Sequence, residues 1–187
     1  MPPTSYPPLR IQTPRLVVRC WRADDAPLLR AAVDESLELL REWMDWALAE
    51  PTSLEETRAR LEGYERRFLD GEDFTYGIFD ANESEVVGGC GLHPRIGDGG
   101  LEIGYWIRAT RVGRGFATEA ARALTDAAFG VRGIDRVQIH CDPANERSGN
   151  VARKLGFALV EHRVEDAATP DGLVRDTLVF RVRRDGW

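Results

Sequence analysis

The chain has 187 residues, a formal net charge of −6, 43% hydrophobic residues and 30% charged residues. This length and composition fit one globular domain with a sizeable core and exclude a disordered chain. The acidic balance argues against a nucleic-acid-binding surface. The chain contains no apolar run of membrane-spanning length and no signal-peptide core, so we expect a cytoplasmic protein without membrane contact. The three cysteines are widely spaced and indicate neither a disulfide framework nor a zinc site.

The N-terminal part of the chain predicts a tail, a strand and a first helix. Residues 1–9 are rich in proline and are expected to form a disordered tail, so that the folded domain covers 10–187. RLVVRCW at 15–21 indicates a strand. The helix that follows is expected to begin near Asp24, because Pro27 is tolerated only in a first turn.

Two further helical segments precede the next strand. Residues 37–51 are helical or irregular and end at a proline. Ser53 and Glu56 then form a capping-box pattern. An apolar stripe at helical spacing continues from there to about Leu69, which predicts an amphipathic helix.

The hydrophobic period changes at Phe74. Three strands separated by short polar or glycine-rich turns are expected at 74–80, 85–96 and 101–107, as an antiparallel meander. Three glycines in the middle strand, Gly88, Gly89 and Gly91, indicate a bulge or close packing.

The second half of the chain predicts two helices and three strands. A long helix is followed by a strand at 137–141, a short helix from Ser148 to Leu155, and two strands around a turn at 168–172. The whole order is β-α-α-α-β-β-β-α-β-α-β-β. This order predicts a single α+β domain.

The stretch from Leu101 to Gly130 predicts a strand, a glycine-rich turn and a helix. Gly113 and Gly115 flank Arg114 just before the helix, where glycines let backbone N–H groups converge on one point. The helix N-terminus adds unpaired donors and the positive end of a dipole, so the turn predicts a phosphate or other anion site. The dinucleotide fingerprint and the P-loop are both excluded, because the third glycine and a Gly-Lys-Ser/Thr sequence are missing.

Local charge agrees with an anion site. Residues 108–122 contain four arginines and one glutamate, a basic segment in an acidic chain. The alternative interpretation is a tight strand-to-helix connection with incidental glycines.

Three ordered segments resemble the GNAT superfamily of acyl-CoA-dependent N-acyltransferases. They are EIGYWI at 102–107, GRGFATEA at 113–120 and NERSGNVARKLGF at 145–157. The resemblance is to the ribosomal-protein alanine N-acetyltransferase (RimJ/RimL-like) branch, and it extends from about Arg15 to about Arg183. The pyrophosphate loop of the superfamily usually begins with Gln or Arg, whereas this chain has Val112. A side-chain contact is lost there unless Arg111 or Arg114 replaces it.

The resemblance implies a mixed, mainly antiparallel sheet that opens in a V between the strands near 101–107 and 137–141. Acetyl-CoA is the implied acyl donor, and no metal is implied. Its pantetheine arm is expected near Trp106, paired with backbone at Ile107 and Arg108 like an added strand. Asn145 is expected to bind the same arm. The CoA phosphates are expected on the loop formed by Val112, Gly113, Arg114, Gly115, Phe116, Ala117 and Thr118.

An amine must lose its proton before it can attack a thioester. An α-amino group has a pKa of about 7.7–8.0 and costs roughly 1.4 kcal/mol to neutralise at pH 7, whereas a lysine side chain costs roughly 4.6 kcal/mol. A modest carboxylate base, acting directly or through a water, therefore suffices for an α-amine. Glu102 is the candidate, because it begins the strand bordering the opening and shares a face with Gly104 and Trp106. The alternative is an edge-strand charge paired with a nearby arginine.

The leaving thiolate needs a hydrogen-bond donor. Ser148 matches the serine of the Asn-x-x-Ser pattern in the RimJ/RimL-like branch, where it is expected to bond the CoA sulfur; alternatively it is an ordinary helix N-cap. Tyr105 is a candidate proton donor, or a ring that fills the core. The histidines have no metal-ligand spacing, so structural roles are expected for them, His140 included. Cys141 is expected to be a passive thiol.

The acceptor side is less defined. Trp43 and Trp46 are three residues apart, so they can share one helical face. RimJ/RimL-like proteins have a similar REW-x-x-W pattern in an arm that shapes the acceptor pocket, and packing of both rings on the sheet is the alternative. Glu42 and Asp45 could attract a cationic amine, and Glu102 is expected to touch the acceptor as well.

Three functions are compatible with these features. The first is an N-acetyltransferase that uses acetyl-CoA and acts by direct attack of a protein N-terminal amine or a small amine, with succinyl-CoA as a variant donor. The second is a non-catalytic acyl-CoA-binding module on the same fold, against which Glu102, Asn145 and Ser148 argue together. The third is a nucleotide-binding protein, disfavoured by the missing P-loop lysine. Proteins of this branch often form dimers, so a homodimer is one expected assembly.

Overall fold

The computed structural model describes residues 4–168 and 172–187. Within these residues, eight strands form one sheet in the order β1-β2-β3-β4-β5-β6-β8-β7. All neighbouring strands are antiparallel except β5 and β6, which are parallel. The strands are β1 Arg10–Gln12, β2 Leu16–Cys20, β3 Phe74–Asp80, β4 Val86–His93, β5 Gly100–Ile107, β6 Arg136–Cys141, β7 Ala158–Ala168 and β8 Val174–Arg183.

Five α-helices occur in the described part of the chain: α1 Ala26–Asp34, α2 Leu37–Trp43, α3 Leu54–Leu69, α4 Phe116–Gly130 and α5 Glu146–Lys154. The capping box predicted for α3 is confirmed, because Ser53 Oγ accepts from the Glu56 N–H at 3.1 Å and Glu56 accepts from the Ser53 N–H at 2.7 Å. None of the helices among these residues has both the length and the apolar character needed to cross a membrane.

The helices pack on opposite faces of the sheet. Helices α4 and α5 cover one face, where Leu124 joins a buried cluster with Ile103 and Ile139. Helices α1 to α3 cover the other face, where Leu61 packs with Val17. The predicted α+β class and the predicted order of elements are confirmed, with the short β1 as an additional strand.

The sheet opens between β5 and β6. Their parallel pairing covers only residues 100–102 with 136–138, although β5 continues to Ile107 and β6 to Cys141. Strand β6 instead stays paired with β8 along its whole length. The two halves of the sheet therefore diverge beyond Glu102, and the predicted V-shaped opening is confirmed.

The predicted disordered tail is wrong for residues 4–9, while residues 1–3 lie outside the described residues. Thr4 exchanges backbone hydrogen bonds with Gly130 and Arg132 at 3.0 and 2.8 Å. The Leu9 carbonyl accepts from the Cys20 N–H at 2.8 Å. Proline content alone did not reveal these contacts, because the backbone partners are distant in sequence. Most of the turn predicted at 168–172 also lies outside the described residues.

The glycines of β4 make close packing possible. A Cβ at Gly89 would lie 2.6 Å from the Trp106 ring, and one at Gly88 would lie 2.2 Å from the Trp106 carbonyl oxygen. The register between β3 and β4 also shifts between Ile78 and Phe79. Both predicted features, the irregularity and the close approach, are therefore present, and they let Trp106 lie flat against its neighbouring strand.

Candidate active site

The opening between β5 and β6 continues into a cleft of about 780 Å³. Its walls come from α2 and the turn after it, the second half of β5, the turn before α4, the end of β6 with α5, and the start of β8. Because α4 and α2 lie on opposite faces of the sheet, the cleft passes through the sheet. A molecule in it can touch both faces at once.

The turn before α4 presents unpaired backbone donors. Gly113 and Gly115 have φ values of 76° and 79°, a left-handed conformation that costs other residues roughly 1–2 kcal/mol. Gly115 is the N-cap of α4 and provides no side-chain cap. Within the described residues, no acceptor bonds the N–H groups of Phe116, Ala117 and Thr118. Such donors, at the positive end of the helix dipole, can bind an anion, and this turn is called the anion site below.

Two residues of the turn between β1 and β2, Thr13 and Arg15, hold the turn before α4 in place. Glu119 accepts from Thr13 Oγ1 at 2.7 Å, from the Arg15 N–H at 3.0 Å and from Arg15 Nε at 2.7 Å. The same guanidinium donates to the Arg114 carbonyl at 3.0 Å and lies 4.6 Å from the Phe116 ring centroid. The loop is thus fixed before any ligand binds.

Two of the arginines that make the segment basic are already neutralised. Arg111 pairs with Glu85 at 2.7 Å, and Arg108 forms a bidentate pair with Glu35. Arg114 is exposed and has no ion-pair partner among the described side chains. Val112, at the start of the loop, lines the cleft. Of the two arginines expected to replace the side-chain contact missing at Val112, Arg114 is the unpaired one, whereas Arg111 is the one that lines the cleft.

The hydrogen bonds of β5 decide which backbone groups face the opening. The Arg108 N–H donates to the Val87 carbonyl at 2.9 Å, and the Arg108 carbonyl accepts from the Arg111 N–H at 2.8 Å. The Arg108 N–H is therefore unavailable to pantetheine, and its carbonyl keeps one lone pair. In an antiparallel pair these groups alternate in direction, so those of Tyr105 and Ile107 point away from β4 into the opening.

Helix α5 brings Asn145 and Ser148 to the cleft wall. Asn145 is the N-cap, and its Oδ1 accepts from the Ser148 N–H at 3.1 Å. The N-cap alternative for Ser148 is therefore wrong, since Ser148 lies in the first turn. Its hydroxyl is 2.9 Å from the Tyr105 hydroxyl. Burial raises the pKa of the Tyr105 phenol far above its usual value, against the opposing effect of the Ser148 hydrogen bond, so Tyr105 stays protonated.

Glu102 lies at the base of the opening and is buried. It forms a bidentate pair with Arg95 at 2.9 and 2.5 Å, and its Oε2 is 3.4 Å from His140 Nδ1. Burial alone would raise the pKa of Glu102, but the Arg95 hydrogen bonds and the nearby positive charge outweigh it and hold the pKa below its usual value. The arginine pairing predicted in the alternative is thus present, but Glu102 lies on a central strand and in the cleft, not on an edge strand.

His140 belongs to the site, although a purely structural role is expected from the sequence. The Gln138 amide is oriented by Arg181, which donates to its oxygen at 2.8 and 2.9 Å, so its nitrogen donates to His140 Nε2 at 2.8 Å. Nδ1 then carries the proton and faces Glu102. Burial lowers the pKa of His140 more than Glu102 raises it, which favours the neutral ring. The alternation that puts Gln138 and His140 on one face of β6 was the available signal.

The arm after α2 supplies the opposite wall of the cleft. Trp43 lines the cleft, with the Arg175 guanidinium 4.9 Å from its ring centroid. The prediction that Trp43 and Trp46 share a helical face is wrong, because α2 ends at Trp43 and Met44 is extended. The Trp46 ring instead lies 6.1 Å from that of Trp106. Trp106, predicted near pantetheine, therefore faces this arm.

Comparison with known proteins gives the same fold and a family. The sequence matches the acetyltransferase (GNAT) domain over residues 15–158. It is 28% identical over 189 residues to the ribosomal protein uS5-alanine N-acetyltransferase of Escherichia coli strain K12, covering 98% of this chain and 95% of the relative. It is 26% identical over 175 residues to the putative ribosomal N-acetyltransferase YdaF of Bacillus subtilis strain 168, covering 92% and 93%.

Two solved structures share the fold. One is RimL, a ribosomal L7/L12 alpha-N-protein acetyltransferase in complex with coenzyme A, with a TM-score of 0.82, 24% identity and coverage of 96% and 98%. The other is the microcin C7 self-immunity acetyltransferase MccE in complex with acetyl-CoA and AMP, with a TM-score of 0.84, 19% identity and coverage of 96% and 98%. Since the family match spans more than half of the sequence, this chain belongs to the GNAT acetyltransferase family.

Proposed function

We propose that this acetyltransferase moves the acetyl group of acetyl-CoA to a primary amine, by direct attack of the amine on the thioester. The observation that carries the proposal is the cleft through the sheet, which joins the anion site at α4 to the buried carboxylate of Glu102. A protein N-terminal α-amine is the favoured acceptor, because the relatives from E. coli and RimL are named for that reaction. A small-molecule amine is the alternative acceptor.

The cosubstrate would be held mainly by backbone. The free N–H groups of the α4 first turn suit the pyrophosphate. The outward-facing backbone groups of Tyr105 and Ile107 suit the amides of the pantetheine arm, which would bind like an added strand. The Asn145 amide nitrogen remains available to the same arm, since only its oxygen serves as the cap of α5. This support does not depend on the residue at position 112.

Glu102 would take part in deprotonating the amine. Its lowered pKa keeps it ionised at neutral pH and makes it a weak base. A weak base suffices for an α-amine, which costs roughly 1.4 kcal/mol to neutralise at pH 7, and is a poor match for a lysine at roughly 4.6 kcal/mol. The Nδ1–H of neutral His140 faces this carboxylate at 3.4 Å, so His140 supports the carboxylate rather than competing for the proton.

The leaving thiolate would be met by Ser148. The Ser148 hydroxyl lies 2.9 Å from that of Tyr105, and the protonated phenol can donate to it while the serine donates to the sulfur. Separate groups would thus serve the two proton transfers: Glu102 for the proton lost by the amine, and Ser148 with Tyr105 for the thiolate.

The test is thiol release from acetyl-CoA with a panel of free-N-terminus peptides, polyamines and aminoglycosides, with succinyl-CoA as a second donor. We expect turnover with acetyl-CoA and N-terminal peptides. Glu102→Gln should lower kcat/KM at least about tenfold. Glu83→Gln is the matched control, because Glu83 is also paired with arginine, by Arg10 and Arg19, away from the cleft. Unchanged turnover in Glu102→Gln would remove Glu102 as the base, and tight acetyl-CoA binding without turnover on any acceptor would favour a non-catalytic acyl-CoA-binding module.

A further inference from the structure

A second cavity, of about 360 Å³, adjoins the cleft at Glu102 and His140. It lies on the face of β6 opposite α4 and α5, where Gln138 and His140 point. Its lining side chains include one glutamate and four arginines: Arg95, Arg136, Arg163 and Arg181. In a chain with a net charge of −6, this is a local concentration of positive charge.

Two of these arginines have little or no carboxylate nearby to balance their positive charge. Arg181 donates to the neutral amide of Gln138, and no carboxylate of the described residues forms an ion pair with it. Arg136 donates mainly to the backbone carbonyls of residues 96–98 and meets one carboxylate, that of the exposed Asp135, at 3.2 Å. Neutral acceptors satisfy hydrogen bonds without cancelling a positive charge, so the cavity keeps a positive potential.

The other two arginines are paired in different ways. Arg95 is committed to buried Glu102. Arg163 forms a bidentate pair with Glu161 at 3.0 Å and lies 4.0 Å from Asp166, and neither carboxylate lines the cavity. The Arg163 and Glu161 side chains are more than a third exposed, so solvent screens their attraction, and a ligand carboxylate or phosphate can compete with Glu161 for the Arg163 guanidinium.

The distance from the reaction centre limits the ligand. Arg181 and Arg163 lie on β8 and β7, the first and second strands beyond β6. Arg181 is level with Gln138, and Arg163 is level with Thr177, so each is also displaced by two residues along the strand from His140. With about 4.8 Å between strands and about 3.4 Å per residue, their backbones lie about 8 and 12 Å from that of His140. An extended chain spans about 3.3–3.6 Å per residue. An acceptor whose amine lies near Glu102 therefore reaches this cavity within one to three residues.

We infer that the arginine-lined cavity is a specificity site for an anionic group, a carboxylate or a phosphate, that the acceptor carries one to three residues beyond its reactive amine. The inference rests on the proposed amine acetylation and adds the class of acceptor. The planar guanidinium of Arg163 can bind either anion in a bidentate manner. A neutral amide in the same position would give Arg163 and Arg181 no anionic partner.

The test compares peptides that differ only at positions two and three. Three hexapeptides with a free N-terminus carry aspartate, asparagine or phosphoserine there. For the native protein we expect kcat/KM at least about fivefold higher for the aspartate and phosphoserine peptides than for the asparagine peptide, with the ratio falling as salt rises. A larger ratio for phosphoserine identifies phosphate as the better ligand, and a larger ratio for aspartate identifies carboxylate.

Variants on neighbouring strands separate contact from general charge. Arg163→Gln should bring the acidic-to-neutral ratio close to one. Arg183→Gln should preserve the ratio, because Arg183 lies on β8 two residues from Arg181 but does not line the cavity. Equal kcat/KM for acidic and neutral peptides, or a ratio that survives in Arg163→Gln, overturns the inference.

A binding measurement keeps the two proposals distinct. The N-acetylated products of the same peptides are titrated into the protein in the presence of CoA. Tighter binding of the acidic products, lost in Arg163→Gln, supports the cavity even when no peptide is turned over, a result that would count against the proposed function alone. Equal binding of all products overturns the anionic site.

Discussion

The two sides of the cleft present different kinds of chemical groups. The cosubstrate side consists of backbone groups: unpaired N–H donors at α4 and the outward-facing groups of Tyr105 and Ile107. The acceptor side consists of side chains held by charge, above all Glu102 with Arg95 and His140. Backbone geometry tolerates most changes of side chain but few changes at glycine. A charge network is sensitive at every member, so the two sides should respond differently to substitution and to pH.

The largest effect is expected at Gly115. Gly115→Val places a β-branched residue at φ 79°, which costs roughly 1–2 kcal/mol in stability and displaces the donors of the anion site. We expect the Kd for acetyl-CoA to rise at least about thirtyfold, as for loss of two charge-assisted hydrogen bonds. Isothermal titration measures this change. Gly130→Val is the control, because Gly130 ends the same helix without a left-handed backbone or a neighbour within 4 Å; equal effects in both variants would contradict the role of the loop.

The next effect is expected at Ser148. Ser148→Ala removes the hydroxyl that lies 2.9 Å from the Tyr105 hydroxyl in the cleft wall. We expect kcat to fall about tenfold with little change in the KM for acetyl-CoA, because the hydroxyl acts on the developing thiolate. Steady-state kinetics of thiol release separates the two constants. Ser84→Ala is the control, since Ser84 bonds Asp80 in a distant turn. A rise in KM with unchanged kcat would assign Ser148 to binding alone.

A smaller effect is expected at Arg114. Arg114→Gln removes an exposed charge beside the loop and leaves the backbone donors in place. The KM for acetyl-CoA should rise about twofold to fivefold, and the difference should disappear at high salt because exposed charges are screened. Arg132→Gln provides an exposed arginine at the far end of α4 for comparison. A tenfold or salt-independent effect would indicate that side chains, not backbone, dominate the cosubstrate side.

The smallest effect concerns pH and tests the acceptor side. His140 has a lowered pKa in the folded protein, so the unfolded chain binds more protons once the pH drops below about 6.5. The free energy of unfolding should therefore decrease from pH 7.5 to 5.5, and His140→Gln should reduce that decrease by up to about 1 kcal/mol. Urea unfolding at the two pH values measures it. An identical decrease in the native protein and the variant would show that His140 is protonated normally.

The same contrast explains what the sequence could predict. The loop at Gly113 and Gly115 was predictable because a left-handed turn before a helix leaves a local pattern in the chain. The helix cap at Ser53 was predictable for the same reason. In both cases the interacting groups are only a few residues apart.

No local sequence pattern indicates the charge network of Glu102, Arg95 and His140. Glu102 meets Arg95 across a turn, and His140 from another strand, and only the register of β5 with β6 brings them together. The sequence around His140 therefore did not distinguish it from a structural residue of the strand. The contact predicted at Arg108 stays a prediction for a related reason: which β5 backbone groups face the opening depends on the pairing with β4, which sequence alternation does not specify. The roles of Asn145 and Ser148 remain predictions.

The short parallel pairing between β5 and β6 has a consequence for amide hydrogen exchange. Only three residues of each strand pair with the other strand, although both strands lie in the middle of the sheet. Central strands are usually the last to exchange, because their hydrogen bonds open only with the core. Here the amides of Tyr105 and Ile107 should exchange rapidly, flanked by protected neighbours in β4. Acetyl-CoA bound in the opening would slow the exchange of these two amides, so their exchange rates would report cosubstrate binding without turnover.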